Sequence, residues 1–238
     1  MNRKLIILLL LLAFSAPAIA ETGRSMVWEL RFGLYKPNID SEFSGTTKPF
    51  QDIFGGSNHL IFQTELGYEV YKGVGSLSIA PGFGYSSVSG KGLLLSGEKS
   101  NDTTKLNIFP LYLSLVYRFD WLAIKYNVPI VPVVKGGFDY FFWWITNGLG
   151  NVASYTDANG HKTKARGGTF GAHVSFGIDF LLDWLAPGMA QDFDSDVGVN
   201  NTYIFAEYTM YFVNNFGKGN SFNLSDNKSV FFGMAFEF

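Results

Sequence analysis

The sequence predicts an all-β fold: an eight-stranded antiparallel β-barrel that crosses a membrane, with long extracellular loops and a short periplasmic helix near 183–194. Three observations predict it. Eight segments alternate between apolar residues and small or polar ones. The connections between them differ in length in a regular way. Charge is scarce, at 16% of residues, while aromatics reach 17%. A soluble globular domain carries about 25% charge. Disorder is excluded by the same composition, because disordered chains lack apolar and aromatic residues.

Residues 1–20, MNRKLIILLLLLAFSAPAIA, have the layout of a signal peptide. Arg3 and Lys4 precede an apolar run from Leu5 to Phe14, and Ala18-Ile19-Ala20 forms a small-x-small cleavage site. A membrane-spanning helix needs about 20 apolar residues, and this run breaks at Pro17. Residues 21–238 are then a single barrel domain of 238 − 20 = 218 residues. Its charge is 16 basic against 20 acidic residues, since Arg3 and Lys4 leave with the leader. This balance offers no basic footprint for nucleic acid. With no cysteine in the chain, disulfides, thiolate metal sites and a lipidated N-terminus are ruled out.

The first strand reads Met26 to Tyr35. Met26, Trp28, Leu30, Phe32 and Leu34 share one face, and Glu29, Arg31, Gly33 and Tyr35 the other. Period two marks a strand between unlike environments. Leu60 to Val70 repeats it, with Gln63, Glu65, Gly67 and Glu69 on the polar face. Further repeats are centred on Ile79, Leu113, Phe138, Val174, Ala206 and Met234. Their polar faces carry Tyr112, Ser114 and Arg118, then Lys135, Gly137 and Asp139, then His173, Ser175 and Asp179, and lastly Glu207 and Glu237. Segments of about ten residues suit transmembrane strands, which take 9–11 tilted residues per crossing.

Connections 37–58, 87–104, 146–168 and 213–227 are long and rich in Gly, Ser, Asn and Thr. Those at 72–75 and 119–129 are shorter. Long outer loops and short periplasmic turns are the pattern of outer-membrane barrels. The connection at 181–200 is the exception, and there the helix is expected. The alternative is a soluble barrel with its apolar face around a ligand. Residue types favour the membrane: one face is almost wholly Phe, Leu, Val, Ile and Tyr, and the charges lie among glycines and serines on the other. Trp28, Tyr68, Tyr117, Trp121, Phe142 to Trp144 and Tyr211 fall near strand ends, as interfacial girdles do.

The polar faces gather Glu29, Arg31, Glu65, Lys135, Asp139, His173 and Glu207 near mid-strand. An eight-stranded barrel is filled by its side chains, and buried charges must pair. These seven residues are therefore expected to form a plug, with a solute gate as the alternative. His173 and Ser175, with Glu207 on the next strand, could also make a nucleophile, base and orienter, which would be a lipid A-modifying acyl hydrolase. Asp192, Asp194 and Asp196 resemble the start of a calcium loop, but Val197 stands where Gly is required and Tyr203 where Glu is. His59 and His161 lack metal-site spacing. No cofactor is expected.

The chain ends in Gly233-Met234-Ala235-Phe236-Glu237-Phe238. Gly233, Phe236 and Phe238 resemble the C-terminal assembly signal of bacterial outer-membrane proteins, while Phe231 stands where that pattern has a polar residue. The phrases Tyr117 to Leu122, Val128 to Pro132, Phe180 to Asp183, Gly198 to Asn200 and Phe236 to Phe238 are similar to an outer-membrane β-barrel family of myxobacterial and other deltaproteobacterial lineages with no assigned activity. The resemblance implies a Gram-negative cell outer membrane as location. It implies the lipid bilayer, the assembly machinery and periplasmic chaperones as partners. The expected function is a non-enzymatic structural or surface-binding barrel, with passage of small or hydrophobic solutes as the alternative.

Overall fold

The computed structural model describes residues 26–44, 46–93, 98–126, 128–156, 160–185, 187–219 and 221–238. The expected signal peptide lies outside the described residues. The wall strands are β1 (Met26–Tyr35), β2 (His59–Gly73), β3 (Gly75–Leu93), β4 (Lys99–Arg118) and β5 (Ile130–Thr146). A small hairpin of β6 (Ser154–Thr156) and β7 (Lys162–Lys164) follows. The wall then resumes with β8 (Arg166–Leu181), β9 (Asn201–Phe212) and β10 (Asp226–Glu237). These eight wall strands form a closed antiparallel barrel in the order β1-β10-β9-β8-β5-β4-β3-β2. The first and last strands close it through a continuous register, from Val27 opposite Glu237 to Leu34 opposite Val230.

The faces are inverted relative to a soluble protein. Leu60, Phe138 and Phe232 are 72%, 71% and 63% exposed on the outside, whereas Arg31, Lys135 and His173 are buried inside. Two apolar layers fill the ends of the lumen. One contains Tyr35, Phe50, Ile61, Phe141 and Phe231. The other contains Val27, Val116, Val131, Leu181 and Tyr203. The first is covered by a short helix, α1 (Pro49–Phe54), whose Phe50 is buried against the barrel mouth. At the opposite end lie α2 (Trp121–Tyr126) and α3 (Pro187–Val197).

Several elements differ from the sequence expectation. The helix expected near 183–194 is present as α3, starting a few residues later and preceded by a 3₁₀ turn, Leu182–Trp184. Pro187 is pre-set for a first helical position. Gly198, at φ 76°, ends the helix by donating its N–H to the Asp194 carbonyl. Asp192, Asp194 and Asp196 are therefore helical and do not form a calcium loop. Most of 87–104, expected as a loop, continues the β3–β4 ladder through Ser89 opposite Lys105 and Lys91 opposite Thr103. That stretch is polar on both faces, so no apolar alternation marked it. Backbone pairing extends it, with Val88 against the first apolar layer and Gly90 close to Ile53 of α1. Tyr211, expected in a girdle, points inward and is buried.

Glycines let bulky groups fit inside the wall. Phe231 lies over Gly33, its directly paired partner, and Tyr112 over Gly82, Trp143 over Gly167 and Phe205 over Gly233 in the same way. A ring thus covers backbone that a glycine leaves bare. Phe231, which stands where the resemblance expects a polar residue, is one of these inward rings. Gly137 is more constrained, since a Cβ there would lie 2.3 Å from the Leu113 carbonyl oxygen. Gly137→Ala is expected to cost about 1–3 kcal/mol by overpacking. Gly188→Ala, in α3 with nothing within 4 Å of the added methyl, should be neutral or better. Urea unfolding of the refolded barrel, read by heat-modifiable gel migration, checks both.

Candidate functional site

Polar chemistry is concentrated in mid-lumen, between the two apolar layers. Its centre is Lys135 on β5. The lysine ammonium donates to Glu29 on β1, to Glu65 on β2 at 2.7 Å, and contacts Glu207 on β9 at 3.1 Å. In the closed order β5 is diametrically opposite β1, so this side chain crosses the lumen. Arg31 on β1 donates to Glu207 at 2.7 Å and lies 3.7 Å from Glu65. Its guanidinium sits 5.2 Å from the Tyr112 ring centroid and 5.1 Å from that of Phe231. Aromatic faces attract a cation, which matters here because Arg31 Nε has no hydrogen-bond partner. Arg118 on β4 extends the network to Glu29 at 2.9 Å and to Asp179 on β8 at 3.0 Å.

Three cations (Arg31, Arg118 and Lys135) thus meet four carboxylates (Glu29, Glu65, Asp179 and Glu207), a formal sum of −1 when all are ionised. Every member is buried. Buried ions cost several kcal/mol each unless paired and hydrogen-bonded. A void of about 10 Å³ lies beside Glu29, Glu65 and Arg118. That is at the threshold for a single water.

Asp139 and His173 form a separate group. His173 Nδ1 lies 3.0 and 3.1 Å from the two Asp139 carboxylate oxygens, and its Nε2 lies 3.2 Å from Ser114 Oγ. The ring stands edge-on to Tyr112 at 5.9 Å. Of the seven residues expected to cluster, five therefore share one ion-pair network. Asp139 and His173 stand beside it as a hydrogen-bonded pair. Arg118, Asp179, Ser114 and Tyr112 complete the lumen chemistry. Their inward parity was visible in the sequence, but their partners come from strands distant in the chain.

The nucleophile arrangement expected from His173, Ser175 and Glu207 does not form. Ser175 Oγ bonds Thr209 Oγ1 at 2.8 Å, and Glu207 belongs to Arg31 and Lys135. The reason is direction: Ser175 lies two residues further along the same strand as His173, whereas the His173 ring reaches sideways over Gly137 on the neighbouring strand towards Ser114. Ser114, the serine that His173 does meet, is 1% exposed.

Of the residues that resemble a C-terminal assembly signal, Gly233 faces inward beneath Phe205, and Phe236 packs outside against Trp28 with ring centroids 5.9 Å apart. Phe238 exchanges backbone hydrogen bonds with Met26 at 2.8 and 3.2 Å, so the final residue completes the closing seam. Glu237 points inward and accepts from Asn201 and Tyr203 at 2.8 and 3.2 Å.

No family model matches the chain, and no curated protein sequence does. Solved structures similar to it include Neisserial surface protein A, with 13% identity, a TM-score of 0.46, and coverage of 91% of this chain and 98% of that one. Ail, the attachment invasion locus protein of Yersinia pestis, is similar at 10% identity and a TM-score of 0.42, in a complex with the heparin analogue sucrose octasulfate. Coverage there is 90% of this chain and 97% of that one. A second Ail structure matches at 11% identity and a TM-score of 0.40. The closed strand order itself defines the fold of this chain.

Lys135→Ala should be the most damaging lumen substitution. It strands three carboxylates, and breaking a buried pair from one side costs about 3–5 kcal/mol. Lys135→Met combined with Glu207→Gln should recover part of that loss. A double-mutant cycle of urea midpoints reads the coupling, and additive losses would show that the pair does not interact.

Proposed function

We propose that the chain is a non-enzymatic outer-membrane barrel of a Gram-negative bacterium, a rigid scaffold that presents its outer loops to a partner. The observation that carries this reading is the pairing of an apolar outer wall with a sealed lumen. Large apolar side chains are exposed on all eight wall strands, among them Phe32, Leu66, Ile79, Leu113, Val134, Phe176, Ile204 and Phe232. In water such a belt would be an aggregation surface. In hydrocarbon it is the matching solvent, and a closed barrel leaves no unpaired edge within the bilayer.

The lumen supports binding over passage. Ion pairs anchored on six of the eight wall strands fill its middle, with an apolar layer on either side. A solute path through it would require several buried ion pairs to separate together. The outer loops, by contrast, are supported from below. Asn38 N donates to the Ser225 carbonyl and Asn223 Nδ2 to Ser41 Oγ, which ties the first loop to the last. Loops fixed on a rigid frame are where binding usually resides.

One observation favours a second, enzymatic reading: the hydrogen-bonded series Ser114, His173 and Asp139 has the connectivity of a nucleophile, base and orienter. Against it, Ser114 is buried in the lumen, and the 10 Å³ void beside Glu29, Glu65 and Arg118 is lined by other residues. The Ser114→Ala and His173→Ala proteins are expected to leave lipid A species unchanged on mass spectrometry.

Fractionation and heat-modifiable migration test the location, and a protein that stays soluble after lysis would overturn it. External protease on intact cells should cut within 146–168 and spare 185–198; the reverse pattern would invert the orientation. Planar-bilayer recordings should show no steady openings. Steady openings that vanish on neutralising Arg31 or Lys135 would establish passage instead.

A further inference from the structure

The strongest unexplained feature is a cleft on the outward face of β3, β4 and β5, at the end of the barrel that carries α1. Its volume is about 510 Å³, within the ~300–1,000 Å³ range of small-molecule sites. Tyr85 and Trp144 provide two aromatic faces, with ring centroids 6.4 Å apart and planes at 36°. Between them lies Asn107, which is 5% exposed. Its Oδ1 accepts from Tyr85 Oη at 2.8 Å and from Ser87 Oγ at 3.0 Å. These bonds fix the aromatic ring and the amide in one geometry. Above them Lys105, Thr103 and Asn147 line the cleft. None of the lining residues is acidic. One ladder position across from Trp144 stands Arg166, a second cation on the same face.

Rings, an amide, hydroxyls and a cation in one open cleft suit a sugar that carries a negative charge. Aromatic faces stack on the apolar face of a pyranose, the hydroxyl and amide groups meet its hydroxyls, and lysine and arginine favour phosphate. The position of the cleft narrows the source. Directly below it the wall becomes purely apolar, first with Phe83 and Phe109 stacked at 6.0 Å, then Leu111, Leu113 and Phe138. Polar groups over an apolar track match an amphiphile lying along the wall.

We propose that this cleft seats the phosphorylated sugar headgroup of an outer-leaflet glycolipid, with its acyl chains along the apolar wall beneath. This rests on the outer-membrane reading and its orientation, since only the outer leaflet faces this end.

The probe is bisphosphorylated lipid A in mixed micelles, equilibrated with the refolded full barrel. Lys105→Glu is expected to weaken retention by at least about tenfold, the loss of one charge-assisted hydrogen bond. Tyr85→Ala should weaken it too, and Lys105→Arg should retain it. Both side chains project from the outer wall, so each of the three variants should keep heat-modifiable migration. Wild-type affinity in Lys105→Glu and Tyr85→Ala would overturn the proposal. So would equal competition by phosphatidylglycerol, which would mean attraction to any anionic lipid. Equally tight binding of the deacylated phosphorylated saccharide would make the occupant a soluble sugar and overturn the glycolipid. If the variants behave as wild type while the protein still fractionates with the outer membrane, only the cleft assignment falls. If the wild-type protein leaves that fraction, the outer-membrane reading falls as well.

Discussion

The structure depends on one lysine. Lys135 reaches across the barrel into three carboxylates that come from β1, β2 and β9. A narrow lumen forbids hydration shells, so each charge must find its counterpart in another part of the wall. Arg31 and Arg118 distribute the remaining negative charge. Apart from Arg31–Glu65, which joins the paired strands β1 and β2, the result is a set of cross-struts linking strands that share no backbone hydrogen bonds. Backbone ladders hold each strand to its neighbours, and the lumen ions hold opposite sides together.

The wall answers this constraint with small residues. Inward positions that do not carry a charge or a ring are largely Gly, Ser or Thr, as at Gly67, Ser78, Gly137, Ser175 and Thr209. Where a ring does point inward, a glycine often sits opposite, as with Phe231 over Gly33. The outward face is under no such limit, so large residues collect there. The chain's shortage of charge and excess of phenylalanine are two sides of one arrangement. Lipid takes the bulk, and the lumen takes the few ions that can be matched.

Much of this is legible in the sequence, and the boundary of legibility is physical. Alternation reveals a strand wherever its two faces meet different solvents, so Glu29, Arg31, Glu65, Lys135 and Glu207 could be placed inside before any pairing was known. Alternation fails where both faces are wet, which is why the upper β3–β4 ladder read as loop. It fails also where an aromatic residue lies inside, as Tyr211 does. Parity alone makes Tyr211 inward, but its type suggested the girdle. Pairing was not legible. His173 meets Ser114 and Asp139 because β4, β5 and β8 are neighbours in the closed order, and no local spacing encodes that. The cleft at Tyr85, Lys105 and Trp144 was hidden for the same reason, being assembled from three strands.

The cross-struts also bear on how such a chain can be made. Lys135 emerges after Glu29 and Glu65 but well before Glu207, and Arg118 emerges before Asp179. A half-built sheet would hold cations some of whose carboxylates are still unplaced, and burying those cations unpaired is costly. The lumen cannot dry out strand by strand. The set of matched ions is complete only when β9 brings Glu207 to its place and β10 pairs with β1. A truncated chain that stops short of β9 would retain a wet, gaping interior. The electrostatics of the core thereby act as a completeness check, admitting to the compact state only a chain whose last strands have arrived.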